Sequence, residues 1–265
     1  MKNPKTYLRD LDVRLQQYLR ARYERRMGVA TSGFEYLEDR GIEGGERAFY
    51  APAHPVTTRA ALERLAPSAS DVFVDFGCGK GLAVLVAGEL PFGRVLGVEL
   101  AEDWAEEARQ NVERARPRLR CPDVQIDTAD VLEWEVPPDL SVVYLYCPFL
   151  GDVFSQALDR VIASYDARRR PLRIVYNYPW EHNRLLATGR VGVIDVRPAR
   201  WPSRPGWWMK PEVIVTYEVI GEGEPPPTPL PRRGLRFGRA LERWSSPNDT
   251  RFVLRRPGQE PLLSH

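Results

Sequence analysis

The chain has 265 residues, 43% of them hydrophobic, and a formal net charge of +2. That length suits one α/β domain of ordinary size with appendages, and no apolar run approaches the roughly 18–20 residues of a membrane span. The N-terminus reads as lacking a signal peptide. Cys78, Cys121 and Cys147 have no disulfide or zinc spacing with His54, His182 and His265, so reduced thiols in a cytoplasmic, metal-free protein are expected. Four lysines among 38 basic residues point to a GC-rich bacterial genome.

Residues 1–30 carry eight basic residues against three acidic, a local excess of +5. A helix is expected over 5–27, with Tyr7, Leu8, Leu11, Leu15, Tyr18 and Leu19 forming an apolar stripe. Such a helix fits packing on a catalytic domain or on a second copy of the chain, in a homo-oligomer. Its basic residues also suit a nucleic-acid arm, although the near-balanced overall charge favours packing. Residues 31–56 combine Gly33, Gly41, Gly44 and Gly45 with Phe34, Tyr50 and His54. This composition suits a lid in which Tyr50 and His54 wall a substrate pocket, against the plainer reading of a connecting loop. Thr57 and Thr58 look like the N-cap of a helix over 58–66.

An apolar run, Val72–Val74, then ends at Asp75, and glycines alternate at Gly77, Gly79 and Gly81 ahead of the apolar stretch 82–87. A strand turning into a helix without side chains at the turn lets the backbone approach a ligand. The spacing departs from the dinucleotide pattern G-x-G-x-x-G, and Lys80 is followed by Gly81 rather than the Ser or Thr of a P-loop. A second apolar run, 94–100, ends in Glu99 and Leu100. Glu99 can accept both hydroxyls of a ribose or, more plainly, start the helix expected over 101–115.

The D-x-G-x-G-x-G pattern at Asp75–Gly81 resembles the signature of class I S-adenosylmethionine (SAM)-dependent methyltransferases. The likeness covers about residues 70–220 and extends to a broad bacterial family of mostly unassigned substrate. It implies an α/β fold: a seven-stranded, mostly parallel Rossmann-like sheet with helices on both faces. It also implies SAM as cofactor, S-adenosylhomocysteine as product, and Asp75, Gly77, Cys78, Gly79 and Gly81 along the methionine portion. An acid after the third strand (123–127) would meet the adenine amino group, which maps onto Asp130 beside Val131, with Asp127 close enough to compete.

The fourth strand, 141–147, runs into Pro148 and Phe149, and ligands in open parallel sheets bind beyond the carboxyl ends of the strands. Tyr146, Cys147, Pro148 and Phe149 should therefore face the methyl group. Methyltransferases acting on exocyclic amines often carry Asn/Asp-Pro-Pro-aromatic here; Tyr-Cys-Pro-Phe keeps the proline and the aromatic but lacks the amide or acid. Phe149 is read as a stacking wall or a core residue. A helix over 153–166, a fifth strand over 172–178, a short helix over 181–187 and two closing strands, 191–196 and 212–219, complete the set. The closing pair is separated by a Trp/Pro-rich insertion.

Catalytic candidates are His182, His54, Tyr178 and Tyr146. His182 leads as general base, against a surface histidine opening a helix. Tyr50, His54, Phe149 and Trp180 are the substrate-binding candidates, and Trp180 with Trp201, Trp207 and Trp208 suits a compact apolar pocket. The expected organisation is an N-terminal helical segment and lid (1–67), the SAM-binding domain (68–221) and a Pro-rich linker with a basic tail (222–265). A small-molecule acceptor is favoured. The alternative is a protein or RNA acceptor held by the basic N-terminal helix and tail.

Overall fold

A computed structural model describes residues 4–42, 50–199 and 213–227. The Trp-rich insertion after β6, with Trp201, Trp207 and Trp208, and the arginine-rich tail lie outside the described residues, as do Gly44 and Gly45.

Seven strands form one sheet: β1 (Val72–Phe76), β2 (Arg94–Glu99), β3 (Asp123–Thr128), β4 (Val142–Tyr146), β5 (Arg173–Asn177), β6 (Val191–Pro198) and β7 (Val213–Val219). Their order is β3-β2-β1-β4-β5-β7-β6. β1 to β5 run parallel, and β7 is antiparallel to both β5 and β6. The chain moves outward from β1 to β3 and then returns to β4 on the other side of β1. This reversal opens a crevice above the carboxyl ends of β1 and β4, where ligands of open α/β sheets bind.

The helices are α1 (Pro4–Met27), α2 (Pro55–Glu63), α3 (Leu82–Gly88), α4 (Glu102–Ala115), α5 (Gly151–Ala167) and α6 (His182–Ala187). Strand alternation sorts the core into two layers. Phe73, Val95, Val142, Tyr144 and Val175 pack with Leu62, Leu85 and Val112 on one face. Val74, Phe76, Val143, Leu145, Ile174 and Tyr176 pack with Phe154, Val161 and Leu185 on the other. Strands buried on both sides read as continuous apolar runs, which is why the sequence marks them so clearly.

α1 packs through Tyr23 and Met27, both in the first layer. Leu15 and Leu19 are half-buried, but Tyr18 is 58% exposed, so it does not belong to the packed stripe. Buried Glu89, at the end of α3, is met by Arg26 of α1 and Arg59 of α2. α2 begins three residues before the expected start: Pro55 occupies its first turn and His54 is the N-cap, since proline is preorganised for that position. The threonines expected as caps turn inward instead. The Thr57 hydroxyl donates to the Ala199 carbonyl at 2.8 Å, and the Thr58 hydroxyl meets the Tyr144 phenol at 3.2 Å. Among the described residues no helix is long and apolar enough to cross a membrane.

Candidate active site

A cleft of about 810 Å³, its open mouth included, lies at the β1/β4 reversal. One half is built from the ends of β1, β2 and β3. The turn after β1 is drawn against β2 by Gly77 N–H and Cys78 N–H, which donate to the Val98 carbonyl at 2.8 and 3.1 Å. Gly79 N–H donates to Glu99 Oε2 at 2.7 Å, and Ala101 N–H to Glu99 Oε1 at 2.9 Å. Each Glu99 oxygen thus accepts at least one backbone bond, and with about four lone-pair sites on the carboxylate some acceptor capacity remains. Burial raises the Glu99 pKa above the ordinary carboxylate range, against the lowering effect of the N–H groups of Ala101, Gly79 and Leu100.

The turn needs glycine for two separate reasons. Gly77 has φ +69° and Gly79 has φ +52°, which side chains rarely adopt. A Cβ would also lie 2.5 Å from Pro148 Cβ at Gly77 and 2.4 Å from the Tyr50 ring at Gly79.

Asp75 is buried at the floor and lines the cleft without a hydrogen bond from any described residue. Burial, then the neighbouring Glu99, raises its pKa well above the usual range. Asp130 and Val131 line the cleft, and Asp130 Oδ1 caps the Leu132 N–H at 3.0 Å. Asp127 instead accepts the Trp134 indole N–H at 2.8 Å and is outside the cleft. Of the two competing acids, Asp130 is the one at the cleft.

The other half is neutral and aromatic. Tyr144, Tyr146, Pro148 and Phe149 contribute to it from the end of β4, and Ala51, Pro52 and Ala53 from the segment ahead of α2. The chain leaves β4 and β5 through non-glycine residues with positive φ, Cys147 (+46°) and Tyr178 (+53°). The Cys147 thiol donates to the Tyr178 carbonyl across this double turn. The turn sets the Tyr146 and Tyr178 rings with centroids 5.5 Å apart. Backbone strain of this kind costs on the order of 1–3 kcal/mol per residue and concentrates at functional sites.

Twelve of the expected site residues line the cleft: Tyr50, Asp75, Gly77, Cys78, Gly79, Glu99, Leu100, Asp130, Val131, Tyr146, Pro148 and Phe149. Cys147 does not; it is buried with its thiol turned to the Tyr178 carbonyl. Gly81 does not line it; it caps α3 and backs onto Ala108. Tyr178 stands behind Tyr146, and Trp180 packs against the second core layer. His54 is buried at the α2 N-cap, with its neighbour Ala53 rather than its imidazole at the cleft.

His182 is the clearest correction. It is neither at the cleft nor on the surface, but buried with Nδ1 2.6 Å from the Tyr217 hydroxyl. Burial lowers its pKa, so a neutral ring satisfies a buried phenol. That geometry suits a core hydrogen bond, not a base that meets substrate.

Sequence reasoning missed Leu37, Trp104 and Tyr144 in the cleft lining. It also missed Lys80 as a structural charge. The Lys80 ammonium contacts Glu35 Oε1 at 2.7 Å and Glu107 Oε2 at 2.9 Å. Burial raises the Glu35 carboxyl, but hydrogen bonds from Lys80, Arg40 and Trp104 outweigh it and hold the pKa at about 2. The signal in the sequence is the lysine itself, the one charged residue inside the glycine turn Gly77–Gly81.

No protein-family model matches the chain. A stretch of 88 residues is 34% identical to ribosomal protein L11 methyltransferases of Burkholderia mallei and Burkholderia cenocepacia. It makes up 30% of this chain and 29% of those relatives, so the chain matches under a third of their length. Among solved structures, the glycopeptide N-methyltransferase MtfA complexed with sinefungin is 12% identical with a TM-score of 0.48, covering 65% of this chain and 88% of that one. An RNA methyltransferase from Salinibacter ruber, in complex with S-adenosyl-L-homocysteine, is 19% identical with a TM-score of 0.44, covering 65% and 95%. By its strand order, its antiparallel β7 and its glycine turn between β1 and α3, the chain has the class I methyltransferase fold.

Proposed function

We propose that this protein is a SAM-dependent methyltransferase acting on a small-molecule acceptor, in the cytoplasm, where its buried free thiols stay reduced. The observation that carries this reading is the pairing, in one cleft, of Glu99 held by the glycine turn with the buried carboxyl of Asp75, which takes no hydrogen bond from the described residues. The spare lone pairs of Glu99 suit a ribose diol, and Asp75 suits the cationic amino group of the methionine portion. Asp130 would take the adenine amino group. Each of the three acids thus has a hydrogen-bond donor of the cofactor to meet.

When bound, SAM supplies a methyl group already activated on a sulfonium. The work left to the chain is to hold the acceptor in line and exclude water. Tyr146, Pro148 and Phe149 form a neutral platform for a planar acceptor, and Ala51–Ala53 cover it from the lid. None of the described residues lining that half carries a charge, which supports a compact, uncharged substrate over a polyanion. With His182 in the core and the Tyr144 hydroxyl held by Thr58 and Asn177, the phenol of half-buried Tyr146 is the side-chain polar group of this half placed to orient an acceptor hydroxyl or amine.

The test is calorimetric titration with S-adenosylhomocysteine, followed by a methyl-transfer screen of aromatic hydroxy and amino compounds using labelled SAM. Binding of S-adenosylhomocysteine at micromolar Kd and label transfer to a small compound are expected. Absence of S-adenosylhomocysteine binding would remove the reading.

One observation favours a macromolecular acceptor as a second reading. Arg14, Arg22 and Arg25 are exposed along α1 beside Tyr18, and Arg20 of the same helix donates to the carbonyl of cleft-lining Pro52 at 3.2 Å. A phosphodiester chain on that face would pass the lid. Steep salt dependence of acceptor binding would select it.

A further inference from the structure

A buried lysine of the glycine turn reaches the segment ahead of α2. Lys80 is 8% exposed although it sits in a loop. Its ammonium lies between Glu35 of the lid and Glu107 of α4, and its carbonyl accepts Asn111 Nδ2 at 3.0 Å. Asn111 also holds the backbone of Ala30 from both sides, accepting its N–H at 3.0 Å and donating to its carbonyl at 2.9 Å.

Glu35 is the hub on the lid side. Besides Lys80 it accepts the Trp104 indole at 3.0 Å and the Arg40 guanidinium through Nη2 and Nε at 2.5 and 3.1 Å. Its backbone exchanges two hydrogen bonds with Tyr50, at 3.1 and 2.8 Å. The Tyr50 hydroxyl is fixed in turn on the Thr31 carbonyl. This brings the Tyr50 ring onto Gly79 so closely that a Cβ there would collide with it, and sets it 5.4 Å from the Trp104 ring. Leu37, Tyr50 and Trp104 all line the cleft.

We propose that Lys80 is a positioning residue for the cofactor half: its contact with Glu35 holds the Glu35–Tyr50 backbone pair, and so the Tyr50 ring, as a roof over the glycine turn. The inference rests on the reading that this cleft takes SAM, and it adds the residue that decides how tightly the cofactor is enclosed. The roof contacts the turn mainly through one aromatic ring, and a charge pair with 10% and 25% side-chain exposure is screened less by salt than a surface pair. The lysine of the turn thereby acts on the lid instead of on a phosphate.

Two measurements test it. The first is the S-adenosylhomocysteine Kd and dissociation rate for the wild type, Lys80→Met, Lys80→Arg, Glu35→Gln and the Lys80→Met/Glu35→Gln double variant. Each neutralising single variant should weaken binding about tenfold, the worth of one charge-assisted hydrogen bond, mostly through faster dissociation. The double variant should lose clearly less than the sum of the two single losses, because both remove the Lys80–Glu35 contact, and Lys80→Arg should recover most of the loss. Additive losses, or a Kd within twofold of wild type in folded Lys80→Met, overturn the proposal.

The second measurement needs no ligand: amide hydrogen exchange of the free protein. Lys80→Met and Glu35→Gln should speed exchange in residues 29–42 and at Tyr50 while leaving β1 to β5 unchanged. Unchanged lid exchange overturns the latch even if S-adenosylhomocysteine fails to bind the wild type, a failure that would count against the cofactor reading alone.

Discussion

The two halves of the cleft are made by different means. The cofactor half is backbone work: a glycine turn after β1 hangs on the Val98 carbonyl and on Glu99. The aromatic half is side-chain work: Tyr146, Pro148 and Phe149 flank the left-handed turn at Cys147, Tyr144 enters from within β4, and Ala51–Ala53 join the lining from more than ninety residues away. A backbone site is tied to local spacing and tolerates almost no substitution. A side-chain site can be refaced one residue at a time. The same fold therefore keeps one ligand fixed while the other is free to vary.

The comparison can be broken most decisively at Glu99. Glu99→Ala removes the backbone hydrogen bonds that hold the glycine turn and, on the proposed reading, the ribose acceptor, so S-adenosylhomocysteine affinity should fall by about a hundredfold or more in calorimetry. Phe149→Ala should leave that affinity within a few-fold, and equal losses would mean the halves are not separable. Next is Gly77→Ala, whose Cβ meets Pro148 at the seam between the halves. It should lower stability by about 1–3 kcal/mol in urea unfolding and weaken S-adenosylhomocysteine as well.

His182 sharpens the contrast from outside the cleft. His182→Ala leaves the Tyr217 hydroxyl unpaired and should cost about 1–3 kcal/mol, with turnover per folded molecule unchanged. Burial lowers the folded-state pKa of His182, so its contribution to stability is complete above the unfolded value, about 6.5. It declines as pH falls toward the folded value, because the unfolded chain takes the proton first. Wild-type stability should therefore drop between pH 7 and pH 5, and His182→Gln should flatten that part of the slope. The smallest effect is expected from Arg22→Ser on α1: none on methylation of a small compound, but a salt slope about one unit shallower for an RNA acceptor.

The sheet and the cofactor half were legible because both are written locally. Buried parallel strands leave unbroken apolar runs, and the turn leaves Asp75, Gly77 and Gly79 within five residues. The acceptor half was legible only in part. Tyr146 and Phe149 follow from the end of β4, but Tyr144 enters through a sheet register that spacing alone does not reveal. His54 and His182 were read by their chemistry, and both are buried, one at the start of α2 and one on Tyr217. The Thr57 and Thr58 cap lost to Pro55, whose fixed φ starts the helix sooner. Lys80 and Glu35 are forty-five positions apart, and nothing in either neighbourhood announces the other.

The Thr57–Ala199 bond has a consequence for redesign. It fastens the chain just after β6 to the first turn of α2, while the Val213 carbonyl at the start of β7 accepts the Tyr178 N–H at 3.0 Å. Ala199 and Val213 are thus each held by a hydrogen bond from outside the β6–β7 pair, one from α2 and one from the end of β5. Ends fixed by the scaffold in this way set where any redesigned connection between β6 and β7 must start and finish, so its sequence can be exchanged with the sheet kept as the frame.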